Sequence, residues 1–370
     1  MTTHLLVSAV AAGMVCCISA RAADNAPTWD KTKAKARLDE RTAFWFQNGK
    51  LLDTDAAGKV ACLCCHTTVP YALARPALRN ALGESEPAPL TRLLKDTARR
   101  VRSSETHQLL YDDSATKQAE SRGTEAVLSA LILSINDDSR GLMKPSPATL
   151  QAIERLWKLQ RQNGDRPGGW DWLRFGLEPW ESADAEYYGA VLAAYAIGNA
   201  PGYYGSDAHL EPRVDLLRNY LKSRYANQNL HNRIWLLLAS ARLTGLLAHQ
   251  ERQDLIQEIK KRQKDGGWTL KNLMSASSVA AASKRRLAPE TDLPDSYATG
   301  LTVYTLRKAG VPRGDPNLQG GVSWLKKNQL PQGAWPALSI NKKRGEDDFA
   351  YWFMSDAGTA WAVMALIAAE

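Results

Sequence analysis

The sequence predicts an all-α chain folded as an α/α toroid, a closed barrel of repeated helical hairpins. Two observations predict this fold. A repeat containing glutamine, glycine and tryptophan recurs along the chain, and the segments between its copies have helical periodicity. The 370 residues are 44% hydrophobic and 23% charged, which is the composition of a globular protein. Twelve tryptophans against five phenylalanines indicate aromatic side chains that fill a core or line a pocket.

Each copy of the repeat ends an amphipathic segment with glutamine, turns at glycine to tryptophan, and continues to an acidic residue that opens an apolar helix. Three copies are clear, namely Gln162 with Gly168-Gly169-Trp170 and Glu186, Gln263 with Gly266-Gly267-Trp268 and Asp295, and Gln329 with Gly333-Ala334-Trp335 and Asp356. A weaker first copy contains Trp45, Gln47 and Gly49. The repetition therefore predicts antiparallel helical hairpins.

Helical spacing is visible between the copies of the repeat. Leu150, Ile153 and Leu156 fall on one helix face, with Ser146 as the predicted N-cap and Pro147 in the first turn. No segment shows the alternation that is typical of a β-strand. Two polar loops, Ser275–Pro294 and Asn341–Asp348, each join a Gly-x-Trp turn to the next helix. We expect them to share one end of the toroid.

The N-terminus predicts export. Leu5 to Ala20 is an apolar run, and Ala20-Arg21-Ala22 fits a cleavage site before Ala23. The predicted organisation is a signal peptide at 1–22, an N-terminal helical segment at 23–120 and the toroid at 121–370, in an exported, periplasmic protein. The net charge of +8 is spread along the chain. This spread indicates a solvated surface, with peripheral membrane contact as the alternative and no nucleic-acid partner.

Three cysteines lie together after the predicted signal peptide. Cys62, Cys65 and His66 form a C-x-x-C-H pattern, which is typical of covalent c-type haem attachment with the histidine as an iron ligand. Cys64 adds a third thiol, so zinc bound by the cysteines and His66, a disulfide, and unmodified thiols are alternatives. Met354 is the candidate sixth haem ligand, and packing in the core is the alternative for its side chain.

The acidic residues of the repeat have two interpretations. Glu186, Asp295 and Asp356 occupy the same place in three copies, where they cap inner helices or point into the cavity as acids. Asp295 is the first catalytic candidate, because Asp292 lies nearby and a like charge raises the pKa of a carboxyl. Asp356 and Asp292 complete the set of candidate catalytic residues.

The run Gly320-Gly321, Trp324-Leu325, Gln329 and Gly333-Ala334-Trp335 resembles the QW motif of squalene–hopene cyclases and related triterpene cyclases. The resemblance implies the toroid of the terpenoid cyclase and prenyltransferase families over residues 120–370. The D-x-D-D motif with which such cyclases protonate their substrate is absent from the chain. The fold is therefore the firmer implication, and the chemistry is not carried over.

Several functions remain open from the sequence. The expected function is a toroid with one covalent haem that binds or oxidatively modifies an apolar ligand such as an isoprenoid. The alternatives are a haem-free, cyclase-like enzyme with an aspartic general acid, a non-catalytic electron-transfer or binding protein with a redox partner, and carbohydrate processing in a Trp-lined cleft. The enzyme class stays undecided between a cyclase-like isomerase or lyase and a haem-dependent oxidoreductase.

Overall fold

The computed structural model describes residues 28–204, 210–276, 279 and 292–370. The chain is an α/α toroid, so the predicted fold class is confirmed. The predicted signal peptide lies outside the described residues, and export remains a prediction. The described elements, in chain order, are α1 (Lys31–Asn48), β1 (Leu51–Asp55), β2 (Gly58–Ala61), α2 (Thr68–Leu82), α3 (Ala88–Arg102), α4 (Ala115–Ser139), α5 (Pro147–Leu159), α6 (Ala185–Asn199), α7 (Glu211–Arg224), α8 (Leu230–Ser240), α9 (His249–Lys261), α10 (Leu270–Leu273), α11 (Ser296–Lys308), α12 (Pro316–Lys327) and α13 (Phe353–Ala369).

The helices form two concentric layers within the described ranges. The inner layer is a closed ring in which α2 contacts α4, α4 contacts α6, α6 contacts α8, α8 contacts α11, α11 contacts α13, and α13 contacts α2. The outer layer contains α1, α3, α5, α7, α9 and α12, and each outer helix precedes an inner one. Inner helices such as α6 and α13 are buried on nearly all sides, because they face both the barrel centre and the outer layer.

The tryptophans of the repeat tie each outer helix to the turn that follows it. Trp170, Trp268 and Trp335 are fully buried. Their indole N–H groups donate to carbonyl oxygens near the ends of α5, α9 and α12, namely those of Leu156 at 2.7 Å, Ile259 at 2.8 Å and Leu325 at 2.7 Å. Each indole thus adds a donor to a carbonyl in the last turn of a helix, and the carbonyls of Ile259 and Leu325 also accept from the C-cap amides of Arg262 and Asn328.

The glutamines of the repeat bond to the start of the next outer helix. The side-chain amide of Gln160 donates to the Arg213 carbonyl at 3.0 Å. In the same way, Gln263 donates to the Asn317 carbonyl at 2.7 Å and Gln329 to the Asp30 carbonyl at 2.9 Å. In the copy that contains Trp170, the bonding residue is therefore Gln160, whereas the sequence pattern pointed to Gln162. Gln162 is exposed, and its amide donates only to Gln160.

The same glutamine contact closes the ring between the two ends of the described chain. The Asp30 amide donates to Gln329 Oε1 at 2.7 Å, and the Trp29 indole donates to Glu370 Oε1 at 3.1 Å. Gly333 lies in the left-handed region at φ 88°. A Cβ at this position would overlap the backbone of Lys33 in α1, so only glycine fits where the last repeat meets the first helix.

The structure contains one feature that the sequence analysis did not predict. β1 and β2 pair as an antiparallel hairpin with Leu51 opposite Ala61. The alternation in β1 covers only five residues, with Leu52 and Thr54 buried, and the sequence pattern was too short to be distinguished from a loop. In the described part of the chain, no helix combines the length and the apolar character needed to cross a membrane.

The two ends of the toroid differ. Connections from inner to outer helices are short, while those from outer to inner helices include the long segments 49–67, 160–184, 262–295 and 328–352. The short-loop end has a cavity of about 320 Å³ whose lining includes Tyr195, Tyr304 and the Arg242–Asp138 ion pair. The long-loop end lies at the N-termini of the inner helices and carries most of the chemically reactive side chains.

Candidate functional site

A tight loop at the long-loop end holds a carboxyl group in a fixed place. We call residues 175–181 the acid loop. Its backbone closes on itself, because the Glu181 amide donates to the Leu177 carbonyl at 2.9 Å and the Glu181 carbonyl accepts from the amides of Phe175 at 3.0 Å and Leu177 at 3.1 Å. The backbone of Glu181 therefore has little freedom to move.

The Glu181 side chain is half-buried, and within the described residues its carboxyl has no hydrogen-bond or ion-pair partner. Burial raises the pKa of Glu181 to about 7, against a smaller opposing effect of the Lys117 ammonium. A carboxyl with this pKa carries its proton about half of the time at neutral pH. Glu181 is therefore suited to give or take a proton under ordinary conditions.

A second carboxyl lies three residues further on. Asp184 occupies the N-cap position of α6, but its side chain does not bond to the helix amides. Burial raises the pKa of Asp184, and no partner for its carboxyl is found in the described ranges. The segment that leads into α6 thus carries two carboxyl groups, three positions apart, for which the described residues provide no partner.

The acid loop is attached to the barrel at two places. The Trp180 indole donates to the Tyr297 hydroxyl at 3.0 Å, and that hydroxyl also bonds His231 Nε2 at 2.9 Å. On the other side, Asn341 exchanges hydrogen bonds with the Glu178 backbone, at 2.8 Å to the amide and 2.6 Å to the carbonyl. The loop is therefore held between inner helices and the segment before α13.

Aromatic rings lie within the acid loop and beside it. The Trp180 ring centroid is 6.4 Å from that of His66. His66 stacks on Phe353 at 3.6 Å with an interplanar angle of 7°, and it meets the edge of Trp45 at 4.8 Å. Phe349 continues this group and is 46% exposed. The cluster therefore runs from the buried core to the surface.

At the start of the acid loop, Tyr111 packs on Phe175 at 4.9 Å. Both rings are 37% exposed, and the Lys117 ammonium lies 4.0 Å from the Phe175 ring centroid. The long-loop end thus presents aromatic surfaces that flank two protonatable carboxyls.

A chain of hydrogen bonds leads from His66 into the interior. We call Arg41, Asp356, Thr67 and His66 the polar chain. Arg41 binds Asp356 through two N–H groups at 2.8 and 3.1 Å. The Thr67 hydroxyl donates to Asp356 Oδ2 at 3.0 Å, and His66 Nδ1 lies 2.8 Å from Thr67 Oγ1. Arg41, Asp356 and Thr67 are all buried.

The predicted catalytic acids have structural partners. Asp295 caps α11 by accepting from the Ala298 amide at 2.9 Å, and it also accepts from the Leu270 amide at 2.6 Å. Burial raises the pKa of Asp295 to about 6, and the expected effect of Asp292 is absent. Asp292 is exposed and pairs with Lys271 at 3.0 Å, which lowers its pKa.

The other two acids of the repeat do not act as N-caps. Asp356 belongs to the polar chain, where burial raises its pKa and Arg41 opposes the rise. Glu186 lies in the first turn of α6 and pairs with Arg161 at 3.2 Å and with Arg166. Their shared place in the repeat therefore does not produce a shared function. Glu181 was not among the predicted site residues. Its only signal in the sequence was its position next to Trp180, a tryptophan outside the repeat.

The cysteine cluster is free of disulfides, with Cys62 and Cys64 buried and Cys65 partly buried. Burial raises the pKa of Cys62 to about 12 and that of Cys64 to about 11, and it raises the pKa of Cys65 well above its ordinary value. The cavity beside Cys62 measures about 20 Å³, which is room for about one water molecule. These surroundings do not fit a porphyrin. Met354 is buried in the core on α13.

The metal alternative gains no support from the part of the chain that the structure describes. No three side chains of histidine, cysteine, aspartate or glutamate come together there in a group that could hold a metal ion. The imidazole of His66, the expected iron ligand, bonds Thr67 through Nδ1 and stacks on Phe353.

Comparisons with known proteins gave structural resemblances alone. No family model matches the chain, and no curated protein matches it. One similar structure is a variant of UGL with dGlcA-Glc-Rha-Glc, at 11% identity and a TM-score of 0.48, covering 91% of this chain and 95% of the other. A second is a possible member of the GH105 family from Klebsiella pneumoniae, at 13% identity and a TM-score of 0.49, covering 92% and 93%.

These structures correct the family assignment. One of these structures is described as a possible GH105 member and neither as a squalene–hopene cyclase, so the assignment to the squalene–hopene cyclase family is wrong. The prediction of a haem-bearing toroid for apolar ligands is wrong with it, and the cyclase-like and electron-transfer alternatives gain no support. The QW-like pattern misled because it describes how a toroid joins its hairpins, and this packing carries no information about the reaction.

Proposed function

We propose that this protein is a glycosidase-type enzyme whose active site is the long-loop end of the toroid, with Glu181 as the proton donor. The observation that carries the proposal is the Glu181 carboxyl, held on a rigid loop without a protein partner among the described residues, with a pKa of about 7. Cleavage of a glycosidic bond needs a carboxylic acid that keeps its proton near neutral pH.

The surroundings of Glu181 suit a carbohydrate. Sugars present flat C–H faces that pack against aromatic rings, while their hydroxyls need polar partners at the edges. Trp180 and Phe175 belong to the acid loop, Tyr111 packs on Phe175, and the ring cluster beside Trp180 extends to the exposed Phe349. A bound saccharide would cover these partly exposed rings and bring its linkage to Glu181.

The two carboxyls divide the reaction between them. Glu181 gives its proton to the oxygen of the leaving sugar while the bond from that oxygen to the anomeric carbon breaks. Water adds to the anomeric carbon, and the ionised Asp184 carboxyl takes the proton that the water releases. The Asp184 carboxyl is available for this step because it does not cap α6.

The test is hydrolysis of a panel of soluble polysaccharides and 4-nitrophenyl glycosides, followed by reducing-sugar assay and mass spectrometry of the products. Glu181→Gln keeps the size of the side chain and removes the acid, so we expect kcat to fall about 100-fold or more. Glu154→Gln, at an exposed position on α5, is the matched control and should retain full activity. Hydrolysis of no member of the panel, or full activity of the Glu181 variant, would refute the proposal.

The pH profile gives a second prediction. Glu181 must be protonated to act as an acid, so kcat/KM should fall as the pH rises through about 7, the pKa of its carboxyl. Asp184→Asn should leave this alkaline limb in place while lowering kcat. The measurement is kcat/KM from pH 5 to about 9. A value of kcat/KM that stays constant across the neutral range would contradict the assignment of Glu181 as the acid.

A further inference from the structure

We propose that His66 Nε2 is a fixed hydrogen-bond acceptor for a substrate hydroxyl, and that the rest of the polar chain sets this role. The inference rests on the proposed function, since it places His66 in the same site as Glu181. Trp180 connects the two, because it is adjacent to Glu181 in the chain and its ring lies 6.4 Å from the His66 ring.

Counting protons along the polar chain determines the tautomer of His66. Asp356 binds the Arg41 guanidinium through both oxygens and is therefore an acceptor. The single hydroxyl proton of Thr67 goes to Asp356 Oδ2 at 3.0 Å. Thr67 Oγ1 can then only accept at its 2.8 Å contact with His66 Nδ1. The ring proton is consequently on Nδ1, and the lone pair of Nε2 accepts no hydrogen bond from the residues that the structure describes.

The surroundings of the ring keep it neutral. Phe353 covers one face, and Trp45 approaches with its edge. Burial, followed by the positive charge of Arg41, lowers the pKa of His66 to about 3. An imidazolium therefore does not form near neutral pH, and Nε2 accepts hydrogen bonds without donating any.

An acceptor that cannot become a donor selects among ligands. A ligand hydroxyl or amide N–H at this place donates a hydrogen bond to Nε2. An O-methyl group or a carboxylate has no proton to donate and forms no hydrogen bond there. His66 contacts the substrate directly in this scheme, while Thr67, Asp356 and Arg41 act as positioning residues. The chemical class favoured next to His66 is thus a neutral, hydroxyl-bearing sugar ring.

The experiment is two-bond ¹H–¹⁵N NMR on protein labelled with ¹⁵N-histidine, which reads the tautomer without any ligand. We expect the His66 proton on Nδ1 and no titration of the ring from pH 8 to about 5. Thr67→Val removes the acceptor for that proton and should shift the ring toward the Nε2–H form. Thr67→Ser keeps the hydroxyl and should restore the original tautomer. A wild-type ring protonated on Nε2 would overturn the inference, and thermal melting reports whether each variant folds.

A titration with cellobiose, maltose and xylobiose tests the acceptor role. At least one disaccharide should shift the His66 Nε2 resonance of the wild type, and its affinity should fall roughly tenfold in Thr67→Val, the cost of one hydrogen bond. If the glycan panel is hydrolysed and Nε2 stays unmoved, the acceptor role is wrong and the proposed function stands. If no saccharide is hydrolysed or bound while the tautomer is as expected, the proposed function fails, and the acceptor role fails with it.

Discussion

Arg41→Leu is expected to lower the free energy of unfolding by about 3–5 kcal/mol at neutral pH, because it leaves the Asp356 carboxylate buried without its cation. Arg41 is 8% exposed and Asp356 is 6% exposed, and two hydrogen bonds join them. The ion pair also joins α1 to α13, the first and last helices of the described barrel. Urea unfolding followed by circular dichroism measures the loss.

The loss should depend on pH in a defined direction. In the variant, only the Thr67 hydroxyl and more distant charges oppose the effect of burial on the pKa of Asp356. The folded-state pKa therefore rises further above its unfolded value. A raised carboxyl pKa stabilises the folded state at low pH, and this contribution is lost as the pH rises through the folded pKa. The variant should therefore be closer to the wild type at pH 4 than at about pH 8.

The double variant Arg41→Leu with Asp356→Leu is the control for this prediction. It removes both charges and should recover much of the lost stability, because a buried apolar pair has no desolvation cost. An equal loss in the single variant at both pH values would contradict the role of Asp356 ionisation.

Trp335→Ala is expected to cost about 3–5 kcal/mol of folding stability, the usual range for removing a fully buried tryptophan. The side chain is 0% exposed, packs 6.0 Å from Trp29, and donates to the Leu325 carbonyl at 2.7 Å. Its removal opens a cavity where the last hairpin meets the start of α1. Chemical denaturation with tryptophan fluorescence or circular dichroism measures the effect.

Trp335→Phe separates packing from hydrogen bonding. Phenylalanine retains most of the buried ring but removes the indole hydrogen bond to the Leu325 carbonyl, which keeps its bond from the Asn328 amide. We therefore expect a smaller loss of about 1–3 kcal/mol. Leu150→Ala, at an exposed position on α5, should change stability by about 0.5 kcal/mol or less. If Trp335→Ala were as stable as Leu150→Ala, the structural role of the repeat would be contradicted.

The repeat illustrates how far local pattern extends. The three tryptophans and two of the three glutamines that the sequence pattern singled out form helix-end contacts, because these contacts recur at a fixed place in each hairpin. Gln160 and Gln162 are both compatible with the sequence pattern. The choice between them depends on which side chain faces the carbonyl of Arg213 in the next outer helix.

The functional interpretation failed where it relied on adjacency in the sequence. Cys62, Cys65 and His66 have the spacing of a haem site, but the fold buries Cys62 beside a cavity of about 20 Å³. Asp292 is near Asp295 in sequence, yet it pairs with Lys271 instead. Spacing along the chain does not specify which charges a folded side chain meets.

The fold class of this protein follows from the sequence, because helical periodicity, glycine turns and the recurring tryptophans are local properties that a toroid repeats. The properties of the site follow from tertiary packing. Burial raises the pKa of Glu181, and the partner of Asp356 lies 315 positions away in the chain at Arg41. Desolvation and ion pairing depend on which distant segments the barrel brings together, and no local pattern records those neighbours.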